Sequence, residues 1–206
     1  RLWFIHQLEP ESAAYNIPLA VRLGGAISRA LLSQSLGEIA RRHDVLRTRF
    51  EAKDGRPVQV IDEAGEAEVA VWDLSLLDEN ERERWARDVV SSGARRPLDV
   101  ERGPVWRAGL VRLGGEDQVL LVCLHHVVSD GWSIGLIVKE FTTIYECYSA
   151  GEISTLPDLP VQYVDYAVWQ RKWLRGEALE GELNYWRAQL AAAPALEAPT
   201  DRPHPS

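Results

Sequence analysis

A chain of 206 residues with 46% hydrophobic and 26% charged side chains has a globular balance and can bury a sizeable core as one large domain or two small ones. Its 23 basic and 31 acidic side chains leave a net charge of −8, which argues against a nucleic-acid platform, since that needs a clustered basic face. No apolar run approaches the ~18–20 residues of a membrane-spanning helix, and no secretory signal pattern opens the chain.

Residues 16–23 read as a strand closed by Gly24-Gly25, with Pro18 placed where a missing N–H is tolerated. Ser28 is a helix N-cap, and Leu31, Leu32, Ser35, Leu36, Ile39 and Ala40 form the apolar stripe behind it. Residues 45–52 and 57–61 flank Asp54-Gly55, the strongest short hairpin signal in the chain. Strand alternation then puts Arg47 and Arg49 on one face, and a solvated face would suit both. Residues 69–72 form a further short strand. Residues 78–95 make a highly charged helix whose inner face is assigned to Trp85, Val89 and Val90, its charges being a solvated surface.

The centre of the chain is more informative. Residues 105–113 and 119–124 are strands joined across Gly114-Gly115. The second runs Val-Leu-Leu-Val-Cys-Leu, apolar on both faces, and is expected to be central and buried. It ends at His125-His126, followed by Val127-Val128-Ser129-Asp130-Gly131 and a helix over about 133–149 with Gly151 as its cap. A proline-bounded loop at 156–160 leads to helices at 163–175 and 179–190. In the first of these, Tyr166, Trp169 and Trp173 follow helical spacing and read as a core stripe. Strands and helices interleave, which predicts an α/β class (an α+β sandwich) with a mixed sheet flanked by helices. Residues 193–206 contain four of the eleven prolines and read as a linker. With no methionine and Arg1 in first place, the chain reads as a segment of a longer polypeptide.

The chemistry-bearing candidates cluster at the end of the central strand. Successive strand side chains point to opposite faces, so His125 and His126 cannot both face one site. One is expected to be structural and the other to project beyond the strand end. Asp130 can orient the intervening loop or pair with an arginine, and Gly131 leaves backbone room at the start of the next helix. Two histidines and one aspartate fall short of the three or four ligands of a metal site, so no metal is expected. A pair of satisfied buried histidines and a general base for acyl transfer both remain open from the residues alone. Cys123 shares a strand face with His125, which makes a cysteine–histidine dyad conceivable, although a small apolar core residue suits its surroundings better. Cys123 and Cys147 form no disulfide framework, which points to a reducing cytoplasm.

The string Leu124-His125-His126-Val127-Val128-Ser129-Asp130-Gly131-Trp132-Ser133 resembles the central His-His-x-x-x-Asp-Gly motif of condensation domains of nonribosomal peptide synthetases. The shorter His-x-x-x-Asp form also occurs in chloramphenicol acetyltransferase-like enzymes. Three further segments resemble the same family in the same order. They are Arg1-Leu2-Trp3-Phe4 with Ala14-Tyr15-Asn16-Ile17-Pro18, then Arg42-His43-Asp44-Val45-Leu46-Arg47-Thr48-Arg49-Phe50, then Tyr163-Val164-Asp165-Tyr166-Ala167-Val168-Trp169. The Ser-x-Ala-Gln that normally precedes the opening motif is absent, and so are the later motifs of the family's second half. Thr200-Asp201-Arg202-Pro203 resembles the stretch before the crossover into that half. The resemblance therefore implies an N-terminal lobe over residues 1–192 and a proline-rich linker over 193–206, leading to a C-terminal lobe beyond. Cyclization domains replace both histidines with aspartates, and epimerization domains usually carry Trp where Ile134 follows Ser133, so condensation is favoured over both.

What the resemblance implies is an acyltransferase that forms peptide bonds. A donor acyl or peptidyl thioester passes to the amine of an aminoacyl thioester, in a tunnel between two chloramphenicol acetyltransferase-like lobes. Both substrates ride on phosphopantetheine arms of upstream and downstream peptidyl carrier domains, with an adenylation domain as neighbour and no cofactor bound directly. His126 is then the base or amine-positioning group, with His125 as its structural partner. Asp130 orients the loop through an arginine usually assigned to the second lobe, for which Arg47 or Arg49 could substitute locally. Gly131 completes the motif, and Trp132 supports it by packing. The fragment alone is expected to be inactive and to expose an apolar patch where the second lobe would meet it. A coenzyme A-dependent acyltransferase and a noncatalytic carrier-docking lobe are the alternatives.

Overall fold

Residues 119–124, apolar on both faces, do become the middle of a sheet. The computed structural model describes residues 2–194. Along the chain come α1 (Leu2–Leu8), β1 (Asn16–Gly24), α2 (Arg29–Arg42), a 3-10 turn (Asp44–Arg47), β2 (Thr48–Lys53), β3 (Arg56–Ile61) and β4 (Val69–Asp73). They are followed by α3 (Glu79–Arg95), β5 (Trp106–Gly114), β6 (Asp117–His125), α4 (Gly131–Ser149), α5 (Tyr163–Trp173) and α6 (Gly176–Leu190). The chain divides into two compact units, Arg1–Tyr163 and Val164–Ser206.

The first unit is built on a four-stranded sheet of order β1-β6-β5-β4. β6 pairs antiparallel with β1 and β5, while β4 pairs parallel with β5, so the sheet is mixed. The parallel pair needs a crossover, and the charged helix α3 supplies it. The alternation of β6 sorts its side chains between two layers. Leu120, Val122 and Leu124 join Leu32, Leu36 and Ile39 of α2 and Ile144 of α4 in the main core. On the other face, Val111, Leu113 and Val119 meet Ala86 and Val89 of α3. Each such side chain taken fully out of water contributes about 1.5–3 kcal/mol. Gly93 brings α3 close to the sheet, because a Cβ there would come within 2.5 Å of Leu121 Cδ2. Pro18 sits on the edge strand β1, where a missing N–H leaves no ladder bond unmade. A separate ribbon pairs β2 with β3 across Asp54 and Gly55, both at positive φ, as a tight Asp-Gly hairpin requires.

Several boundaries and faces differ from the sequence expectation. Residues 44–47 form a 3-10 turn and not the start of a strand, so Arg47 and Arg49 do not share a strand face. Trp85 is 47% exposed while Ala86 is buried, which shifts the inner face of α3 by one residue. The helix at residues 2–8 carries no periodic signal long enough to read, yet Trp3 and His6 are buried from it. α6 begins three residues earlier than expected.

In the second unit, neither α5 nor α6 buries a residue among those described. Tyr166, Trp169 and Trp173 lie along one face of α5 as expected but stack on each other, with ring centroids 5.7 and 5.5 Å apart, and remain half-exposed. Two helices enclose too little volume to bury such a stripe. Within the expected linker, residues 195–206 lie outside the described residues.

Candidate active site

The end of β6 separates the two histidines as strand alternation requires. His125 is the last strand residue and is 3% exposed, on the face shared with Cys123 and α3. Its backbone N–H is donated to Val105 O at 2.9 Å. Its Nδ1 accepts the backbone N–H of Val127 at 3.0 Å, which places the ring proton of the neutral form on Nε2. His6 lies edge-on, 6.3 Å away between centroids, and Tyr15 sits at the same separation. Burial, helped by the neighbouring His6 and His126, pushes the His125 pKa down to about 4. This imidazole is a neutral structural group at ordinary pH.

His126 has left the sheet. The chain turns as Val128 N–H and the Ser129 hydroxyl are donated back to His125 O, at 3.1 and 3.2 Å. The His126 N–H is donated to Tyr15 O at 2.7 Å, so the backbone is pinned from the residue just before β1. The side chain is exposed and makes no hydrogen bond among the described residues. It opens onto a cavity of about 400 Å³ within the first unit. Val45, Leu46, Val127, Leu136 and Ile137 give that cavity apolar walls, and Asp130, Ser129 and Ser133 add polar groups.

Asp130 is the N-cap of α4. Its Oδ1 accepts the backbone N–H of Ser133 at 2.8 Å and the Ser133 hydroxyl at 2.7 Å, and the Asp130 backbone N–H is donated back to Ser133 Oγ at 3.3 Å, which completes a capping box. These hydrogen bonds from Ser133 hold its carboxyl below the usual carboxylate range. The aspartate therefore fixes where the helix begins, at Gly131 just beyond the turn that follows the strand end. No salt bridge reaches it among the described residues. Arg47 is engaged elsewhere, donating to Ala40 O at 2.9 Å and to Asp62 O and the Asp44 carboxylate. Arg49 pairs with Glu51 and Asp62. Gly131 opens α4 with nothing within 4 Å of a Cβ built on it. Trp132 is 82% exposed, so the packing expected of it is not made among the described residues. Cys123 is fully buried, and burial pushes its thiol up, so it offers no nucleophile.

One further cavity residue carries no chemical signal of its own in the sequence. His43, the C-cap of α2, lines the same cavity as His126. Its Nε2 lies 2.9 Å from Glu140 Oε2 on α4, an oxygen that Arg42 Nε also reaches at 3.0 Å. Burial would raise the Glu140 carboxyl, but the hydrogen bonds from Arg42 and His43 outweigh it and hold the group below its ordinary value. Nothing local in the sequence announces this cluster, since Glu140 is far from residues 42–43 along the chain.

The condensation-domain family model matches residues 1–206. A linear gramicidin synthase of Brevibacillus parabrevis is 46% identical over the whole of this chain, which spans 3% of it. The phosphinothricin tripeptide synthetase of Streptomyces viridochromogenes is 38% identical, and this chain spans 19% of it. Among solved structures, the starter condensation domain of rhizomide synthetase superposes with a TM-score of 0.84 at 20% identity, covering 94% of this chain and 46% of that one. The SgcC5 protein of Streptomyces globisporus superposes with a TM-score of 0.75 at 30% identity, covering 92% and 42%. The chain thus spans a small part of these synthetases and less than half of these solved chains.

Proposed function

Because the chain belongs to the condensation-domain family, we propose that it serves peptide-bond formation in nonribosomal peptide synthesis as the N-terminal lobe of a two-lobed domain. The observation that carries this reading is the exposed ring of His126 at the mouth of an apolar cavity, beside a buried partner that stays neutral. A reactive imidazole needs solvent or substrate access together with a fixed backbone, and both are present.

The donor is a thioester and the acceptor an α-amino group, whose reference pKa of about 7.7–8.0 leaves a useful neutral fraction near pH 7. The amine nitrogen bonds to the thioester carbonyl carbon, and the carbon–sulfur bond breaks. The proton leaving nitrogen passes by way of His126 to the departing sulfur. A group in this role contributes typically ~10²–10⁴-fold, and holding two tethered reactants in line contributes more. Asp130 acts indirectly by fixing the start of α4, and His125 acts by fixing the turn that carries His126.

Phosphopantetheine arms of upstream and downstream peptidyl carrier domains would bring both substrates, and an adenylation domain would load the acceptor's carrier. The free thiols of Cys123 and Cys147 suit a reducing cytoplasm, and among the described residues no helix is long and apolar enough to cross a membrane. A partner lobe would supply the rest of the tunnel, and this chain without it is expected to be inactive.

The test is single-turnover transfer in the synthetase that carries this chain, with both carriers loaded. His126→Ala is expected to slow transfer by ~10²–10⁴-fold. Near wild-type transfer would overturn the assignment, and transfer from coenzyme A thioesters without carriers would replace it with a free-standing acyltransferase.

A further inference from the structure

Resting on that reading, we propose that His43 is a second substrate-facing imidazole of the cavity, accepting a hydrogen bond from an N–H of the amine-bearing acceptor. His43 and His126 both line the cavity. The ring of His43 is oriented by its neighbour on α4, with Nε2 at 2.9 Å from Glu140 Oε2. An ionised carboxylate only accepts, so Nε2 carries the proton, and Nδ1 of the neutral ring is left as an acceptor. That nitrogen makes no hydrogen bond among the described residues.

The packing of α2 against α4 does not need this imidazole. Arg42, buried to all but 3% of its side chain, already reaches Glu140 Oε2 at 3.0 Å and Leu156 O at 3.3 Å. His43 stays partly open, with 20% of its side chain exposed. The hydroxyls nearby are committed, Ser129 to His125 O and Ser133 to Asp130. An attacking primary amine carries more than one N–H. One is to be removed by His126, and the lone pair of His43 Nδ1 suits another, which would fix the nitrogen between two rings as the carbon–nitrogen bond forms.

The experiment uses the synthetase that carries this chain, with the donor carrier preloaded. The wild type's own acceptor amino acid is supplied as its N-acetylcysteamine thioester at varied concentration. His43→Ala is expected to raise the half-saturating acceptor concentration about tenfold, the size of one hydrogen bond, with the saturated rate within about threefold. Two further variants separate substrate contact from packing. In His43→Asn the amide occupies the place of Nδ1, and saturation is expected to recover. In His43→Gln it occupies the place of Nε2 against Glu140, and the defect is expected to persist. Recovery by Gln and not by Asn, or unchanged saturation in His43→Ala, overturns the proposal. If His43→Ala does not fold, the Asn and Gln pair decides alone. His126→Ala runs alongside. A normal rate there sinks the reading of the domain, whereas a slow rate there with normal saturation in the His43 variants sinks this inference only.

Discussion

Two adjacent imidazoles at the end of β6 live in opposite surroundings. On the α3 side, His125 is enclosed with Cys123 and His6, holds the Val127 amide and stays neutral. On the other side, His126 faces a cavity with apolar walls; its backbone N–H is held by Tyr15 O, while its ring makes no hydrogen bond among the described residues. One residue of displacement along a strand converts a structural group into an available one. The two rings are linked through the backbone, since the enclosed one accepts the Val127 N–H in the turn that carries the open one.

The contrast can be broken at several strengths. The largest effect expected is the rate loss of His126→Ala, which should leave the unfolding free energy within ~0.5 kcal/mol of wild type, as for a surface change. Next is acid sensitivity from His125. Its native pKa of about 4 lies below the ~6.5 of an unfolded histidine. Between those values the unfolded chain binds a proton that the native one does not. Stability from this group is therefore complete above about pH 6.5 and lost as pH falls towards 4, by about 3 kcal/mol in all. Urea midpoints at pH 7 and 4.5 should converge in His125→Gln relative to wild type; an equal acid loss in both would remove the imidazole from the account.

Smaller still is the cap. Asp130→Ala should cost about 1 kcal/mol of stability through the lost bonds to Ser133, while Asp130→Asn, itself a good cap, should cost little. If Asp130→Asn keeps stability yet slows transfer, its negative charge has a role beyond the helix start. The smallest effect is at Trp132, where Trp132→Ala should change stability by less than ~0.5 kcal/mol. A loss of transfer there would mark a contact with substrate or partner.

Local signals told much of this in advance. Asp54-Gly55, Ser28 and the unbroken apolar run at 119–124 each act through neighbours in sequence, and the hairpin, cap and buried strand are where those residues place them. The failures have physical causes. At Trp85 a large ring outweighed the small Ala86 in the stripe, yet close packing of α3 on the sheet favours the small residue. Residues 45–47 looked extended, but Arg47 and Asp44 close a tight turn on each other. The aromatic stripe of α5 had the right phase, but the two described helices of its own unit enclose too little volume to bury it. His43 stands in the sequence only as one letter of a family-like motif, because its meaning depends on Glu140, brought near by the α2–α4 packing and by nothing adjacent in the chain.

The bond from the His126 amide to Tyr15 O has a consequence for biogenesis. β1 lies on the sheet edge with β6 as its one neighbour, so during translation its amides and carbonyls wait unmatched while everything between is made. Only when β6 emerges from the ribosome can the opening residues dock and lock the corner. Long-range closures of this kind are slow, and an unpaired strand left waiting invites wrong pairing. The newborn chain should therefore depend on chaperones most while that early ribbon has no companion.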